Sequence, residues 1–206
     1  MLLPENYYHI YNHANGDDNL FRAERNYSYF LEKYHLHIDP VADTIAWCLM
    51  PNHFHLLVRI KDAEDLIQTF PKFRTLEKLK EAPAALPHLL SKKFANFFSS
   101  YTQSFNKVYE RRGSLFLKNF KRKLVESESY LIQLILYIHL NPVKHGFTGN
   151  TEKWQWHSKN EFWKTNPVLA ESLFKNKDTY ELLHSTRQTE FADYQLIEND
   201  IQTSMK

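Results

Sequence analysis

The sequence predicts an α+β fold built on one antiparallel sheet, and three observations predict it. Short aromatic and β-branched runs are set apart by turn signals. Two longer segments between them carry apolar residues at helical spacing. With only 4 Gly among 206 residues, no glycine-rich nucleotide loop breaks the pattern. "NYYHIYN" at 6–12, closed by the turn signal "HANGDD", reads as the first strand. A helix follows at 24–37, where Tyr27, Phe30, Leu31 and Tyr34 recur on one face. "VADTIAWCLM" at 41–50 and "HFHLLVRI" at 53–60 form the second and third strands, joined tightly through Pro51-Asn52. Residues 61–87 read as an insertion, helical at "AEDLIQTF" and interrupted by Pro71, Pro83 and Pro87. From His88 to Arg111 the spacing of Leu90, Phe94, Phe97, Phe98, Tyr101 and Phe105 marks a long amphipathic helix that stops at Gly113.

"SLFLKNFKRKLV" at 114–125 is the fourth strand, and Ser127 caps a last, largely apolar helix, "SESYLIQLILYIHLNPVKHG". The order β-α-β-β-α-β is the ferredoxin-like arrangement, an antiparallel sheet with helices on one face, to which this final helix is added. Residues 1–147 form the main domain, and the change in character after Gly146 opens a C-terminal extension over 148–206, helical around 167–184 and polar in its last dozen residues.

At 43% hydrophobic residues the chain can bury a real core. No window approaches the run of about 18 apolar residues that a membrane span needs, and the N-terminus has no secretory pattern, so a cytoplasmic protein without membrane contact is expected. Cys48, in an apolar run, is read as a small buried side chain. The net charge of +2 is a weak pointer to nucleic acid, but its distribution says more. Between positions 107 and 123, Lys107, Arg111, Arg112, Lys118, Lys121, Arg122 and Lys123 face a single acid, Glu110, with Tyr109, Phe116 and Phe120 interleaved. Such a stripe can neutralise phosphates while its rings pack or stack on bases; the plainer reading is a solvated face.

The chemistry starts with "CLMPNHFHLLVRI". On a strand, His53 and His55 point the same way with Cα atoms about 7 Å apart, close enough to converge on one metal ion, while Phe54 points into the other side. Spacing alone decides nothing, because His35 and His37 share it within a helical pattern, where an i, i+2 pair diverges. In the final helix, Gln133, Tyr137 and Asn141 lie one turn apart on a single face amid apolar neighbours. Pro142 is expected to draw Asn141 out of ideal helix geometry. His9, on a strand expected beside the histidine strand, is an auxiliary candidate together with Gln133, with a structural buried histidine as the competing reading.

"MPNHFHLLV", "GSLF…FK" and "YIHLNPVKHG", in that order and spacing and preceded by "YYHIYN", resemble the single-tyrosine HUH transposases, and within them the REP-associated tyrosine transposases. The resemblance runs from Tyr7 to Phe147 and departs at "NHANGDD", where relatives commonly carry an Arg-Gly pair. It implies that His53 and His55 are metal ligands, Tyr137 the nucleophile and Asn141 a third ligand. It further implies a metal-dependent endonuclease and strand transferase acting on single-stranded DNA with hairpins or palindromic repeats, through a 5′-phosphotyrosine. The expected cofactor is divalent, magnesium or manganese, and a homodimer is open. Two imidazoles and an amide oxygen would leave coordination positions for phosphate oxygens. The alternative is a catalytically inactive module that binds single-stranded nucleic acid with the basic stripe and a platform formed by Tyr7 to Tyr11.

Overall fold

The computed structural model describes residues 1–70, 85–187 and Ile197. Four strands form one antiparallel sheet: β1 (Tyr7–His13), β2 (Ala42–Met50), β3 (His53–Ile60) and β4 (Lys121–Leu124), in the order β2-β3-β1-β4. The helices are α1 (Glu24–Ile38), α2 (Ala63–Thr69), α3 (Ala85–Val108), α4 (Glu128–Lys144), α5 (Lys159–Thr165), α6 (Pro167–Phe174) and α7 (Lys177–Arg187). The β-α-β-β-α-β order and the antiparallel sheet are those read from the sequence. Residues 71–84, with Pro71 and Pro83, and residues 188–206 apart from Ile197 lie outside those described.

The alternation of side chains across the sheet builds two cores. On one face Tyr8, Ile10, Phe54, Leu56 and Val58 pack against Phe30 and Tyr34 of α1 and Phe94, Phe97 and Tyr101 of α3. On the other, Tyr11, Ala46, Cys48 and Leu57 meet α4 and the extension. The two helices of the β-α-β-β-α-β unit, α1 and α3, thus share one face as expected, and the added helix α4 takes the other. Every residue of α4 from Leu134 to Pro142 is buried, because the extension covers the helix where solvent would otherwise reach it. The extension also closes the β2 edge: Leu49 N–H donates to the Trp156 carbonyl (2.9 Å), Ser158 N–H to that of Trp47 (3.0 Å), and Cys48 bridges to His157.

Three boundaries differ from the sequence reading. The fourth strand shrinks to Lys121–Leu124; Ser114–Phe120 leave the ladder after Gly113 (φ 84°), touch it once at the Ala14–Phe116 bridge, and turn back at Asn119 (φ 65°) so that Phe116 and Phe120 pack on Phe98. Helix α3 ends at Val108, not Arg111, because Glu110 takes positive φ (51°). Helix α4 runs through Pro142 to Lys144, and Asn141 stays helical with its carbonyl accepting from His145 N–H (3.0 Å). The missing Pro N–H costs one turn bond that packing on both sides of the helix overrides.

A histidine and tyrosine site on the sheet

The two-residue turn at Pro51-Asn52 starts β3 at His53, so His53 and His55 share the face covered by α4 while Phe54 enters the opposite core. Both histidines are buried. Their ring centroids are 5.3 Å apart, nearly perpendicular. Helix α4 lays Tyr137 edge-on against His55, at 5.4 Å between centroids, and one turn later brings Asn141 Oδ1 to 3.4 Å from His53 Nε2. Thus His53, His55, Tyr137 and Asn141, named from sequence, converge in one place. Lys144 sets its ammonium 5.2 Å from the centre of the Tyr137 ring.

His9, also fully buried, bonds to His55 (Nε2···Nδ1, 2.9 Å). Gln133 does not join them: it is half-buried and, among the described residues, no hydrogen bond or ring contact ties it to the histidines. Sequence reasoning missed two members. His13, at the end of β1, pairs in register with His53 and stacks on it (4.4 Å, 2° between planes), and His145, just past α4, meets the His53 edge at 5.2 Å. The signal for His13 was the period of two from His9 through Tyr11, which a turn reading of "HANGDD" concealed.

Burial holds these imidazoles neutral. The affinity of His9 for a proton is pushed down to about pKa 3 by desolvation and by the Lys123 charge. His53 and His55 fall well below the usual histidine range, again first through desolvation and then through neighbouring histidines. A neutral imidazole has one N–H, yet His53 faces two amide oxygens. Asn52 Oδ1, at 2.7 Å from Nδ1, takes the proton, which leaves the Nε2 lone pair directed at the Asn141 oxygen. The His53 Nε2–Asn141 Oδ1 contact is long at 3.4 Å, its donor set by the His53 tautomer, and the buried Asn141 Nδ2 has no partner among the described residues.

This arrangement fits a cation. Two donors each about 2.1 Å from a shared ion lie about 3.0 Å apart at a right angle and about 3.4 Å apart at a tetrahedral one. The Nδ1 bond from His53 to Asn52 is also the kind of support that fixes a ligating imidazole. Among the described residues no three His, Cys, Asp or Glu side chains form a group that could hold a metal ion.

The basic stripe divides. On β4, Lys121 and Lys123 pair in register with Tyr11 and His9 and share the histidine face, whereas Arg122 points to the opposite face, over the Phe120 ring at 5.4 Å. There Arg122 and Lys118 border a groove of about 910 Å³ between α3 and the 114–120 segment, with His88 and Lys92 on its α3 side and no acid among the described residues that line it. Lys107 and Arg112 are exposed elsewhere. Arg111 is committed to the fold: its guanidinium is 2.7 Å from Asp18 and bonds Asn106 and the Ser114 carbonyl, so it is not a free phosphate contact. The Tyr7 to Tyr11 platform is corrected as well, since Tyr8 and Tyr11 are buried in the two cores.

A four-stranded antiparallel sheet with a paired-histidine strand facing a helix that carries tyrosine and asparagine places the chain in the class of α+β proteins. Relatives narrow it. A curated protein of Haemophilus influenzae, named "Putative REP-associated tyrosine transposase", is 24% identical over 136 residues, covering 62% of this chain and 69% of that protein. A solved structure, "Structure of the REP associates tyrosine transposase bound to a REP hairpin", superposes with a TM-score of 0.53 at 13% identity, covering 78% of this chain and 81% of that one. No family model matches. In sequence and in fold the chain resembles the REP-associated tyrosine transposases. Among the described residues, no helix is long and apolar enough to cross a membrane.

Proposed function

We propose that this protein is a transposase that binds hairpin-bearing DNA, cuts a single strand with Tyr137 and rejoins it by strand transfer. The observation that carries the reading is the convergence of Tyr137 and Asn141, one turn apart on α4, with His53 and His55. The REP hairpin bound to the structural relative supports hairpin DNA as the partner.

His53, His55 and Asn141 would hold a divalent cation, manganese or magnesium. When bound, it supplies Lewis-acid stabilisation of charge on the scissile phosphate. The Tyr137 hydroxyl attacks phosphorus, its proton leaves, and the 3′-oxygen departs, so one P–O bond forms as another breaks and the 5′-phosphate ends on tyrosine. Lys144 places a positive charge beside a phenol that must shed that proton. With one nucleophile the reverse attack by a new 3′-hydroxyl restores the phosphodiester and frees Tyr137. Burial by α4 and the extension keeps the reacting centre from bulk water, which favours transfer over hydrolysis.

The test is covalent trapping of a labelled single-stranded hairpin oligonucleotide with Mn²⁺. Wild type gives a denaturation-resistant adduct with the fragment on the 3′ side of the cut, linked through its 5′-phosphate, and Tyr137→Phe gives none while binding the same DNA. An adduct with the Phe variant would assign the nucleophile elsewhere. Binding without an adduct in wild type would return the protein to a nucleic-acid binding module.

A further inference from the structure

The bond between His9 and His55 bears on the proposed site in a way that its ligand set does not cover. Both rings are buried, 1% and 2% exposed, and the charged residue in register with His9 is the cation Lys123, so no acid holds either ring as an imidazolium. A 2.9 Å contact between two neutral imidazole nitrogens contains one proton, and that proton can sit on either side. If His9 Nε2 donates, His55 carries its own hydrogen on Nε2 and has no lone pair to offer there. If His55 Nδ1 donates, its Nε2 is bare.

His53 is already committed through Nδ1 to Asn52 Oδ1 at 2.7 Å, which bares its Nε2. The second histidine of the pair needs the same service, and an imidazole in place of an amide oxygen supplies it reversibly. We infer that His9 is the positioning residue for His55: it accepts the Nδ1 proton of His55 and so fixes the tautomer whose Nε2 can ligate a divalent cation. This inference rests on the metal-site reading above. His9 itself touches neither metal nor substrate in this role. It acts from β1, whose register sets His9 opposite Leu57 and diagonal to His55, so the sheet geometry delivers the bond without any loop rearrangement.

The experiment uses the full chain and two probes, Mn²⁺ alone for affinity by EPR titration and Cd²⁺ alone for ¹⁵N NMR of labelled histidines. In the Cd²⁺-loaded wild type, His55 carries its proton on Nδ1 and couples to the metal through Nε2. His9→Phe, which keeps a ring but loses the acceptor, weakens Mn²⁺ binding about 10- to 100-fold, the range typical for loss of a ligand's outer partner. His9→Gln, whose amide oxygen can take the place of Nε2, stays within about threefold of wild type. Unchanged affinity in His9→Phe, a Gln variant as poor as Phe, or a proton on His55 Nε2 with metal bound would each overturn the assignment. His53→Ala separates the two levels. Loss of Mn²⁺ binding in that variant, with His9→Phe unaffected, discards His9 alone; retained Mn²⁺ binding discards the metal site and the role of His9 with it.

Discussion

Helix α4 has a buried histidine cluster on each side, and the two differ in how completely their polar atoms are paired. Away from the sheet, His139 bonds His184 (Nδ1···Nε2, 3.1 Å) and the Ser158 hydroxyl (3.0 Å), Tyr180 donates to the Lys159 carbonyl (3.0 Å), and the Lys159 ammonium reaches Glu152 and Glu181 at 2.7 and 3.0 Å. Each group there has somewhere to place its proton or lone pair. Toward the sheet, His53 Nε2 makes only a long 3.4 Å contact with Asn141 Oδ1, and Asn141 Nδ2 has no partner among the described residues. Buried polar groups are paired almost without exception, so the first cluster is cement and, on the proposed reading, the second is a socket.

The largest expected effect breaks the socket. His53→Ala should lower adduct formation by on the order of 10³-fold or more, since charge stabilisation at phosphorus is lost, while hairpin affinity measured by gel shift stays within about threefold. Next, the cement. His139→Leu leaves the Ser158 hydroxyl and His184 Nε2 without their partner and should cost about 2–3 kcal/mol, seen calorimetrically as a drop in Tm of about 4–12 °C. Adduct yield per folded molecule should not change, and a proportionate loss of both would show that the extension also tunes the site.

Acid challenges both clusters at once. His9 and His184 are each held near pKa 3 by burial, so the folded chain refuses protons that the unfolded chain accepts below its ordinary value of 6.5. Stability from these groups is complete above about pH 6.5 and is lost as pH falls toward 3. Saturating Mn²⁺ should extend the stable range downward in wild type and not in His53→Ala, which separates the socket from the cement. The smallest effect concerns the stripe. Arg122→Glu should flatten the slope of log affinity against log salt by roughly 0.7 per lost single-strand contact. Arg111→Glu should lower Tm through its Asp18 pair and leave that slope alone.

The histidine pair was legible because a strand converts an i, i+2 spacing into convergence, and the same spacing in α1 shows the converse: His35 is exposed and bonds Asp39 at 3.1 Å, while His37 lies near the Phe97 ring. Tyr137 and Asn141 were legible through the four-residue period of α4. What the sequence did not disclose depends on partners distant along the chain. His9 and His13 reach the site through strand register, Arg111 meets Asp18 93 positions away, and the His139 cluster forms only when α7 docks on α4. Strand β4 was over-read because Phe116 and Phe120 satisfy a strand pattern and an aromatic core equally well.

The turn at Pro51-Asn52 is a fixed point for evolutionary change in length. Its Pro51 and Asn52 carbonyls accept from Phe21 (3.0 Å) and Ala14 (2.7 Å), and the Asn52 side chain orients His53. One added residue would shift β3 by a step and turn both histidines into the opposite core. At the far end of β3, about 23 Å away at 3.3 Å per residue, the chain leaves the sheet after Ile60. Descendants of this fold can therefore gain or lose sequence after Ile60 while keeping the same chemistry, and any lineage that lengthens the Pro51-Asn52 turn gives up the histidine pair.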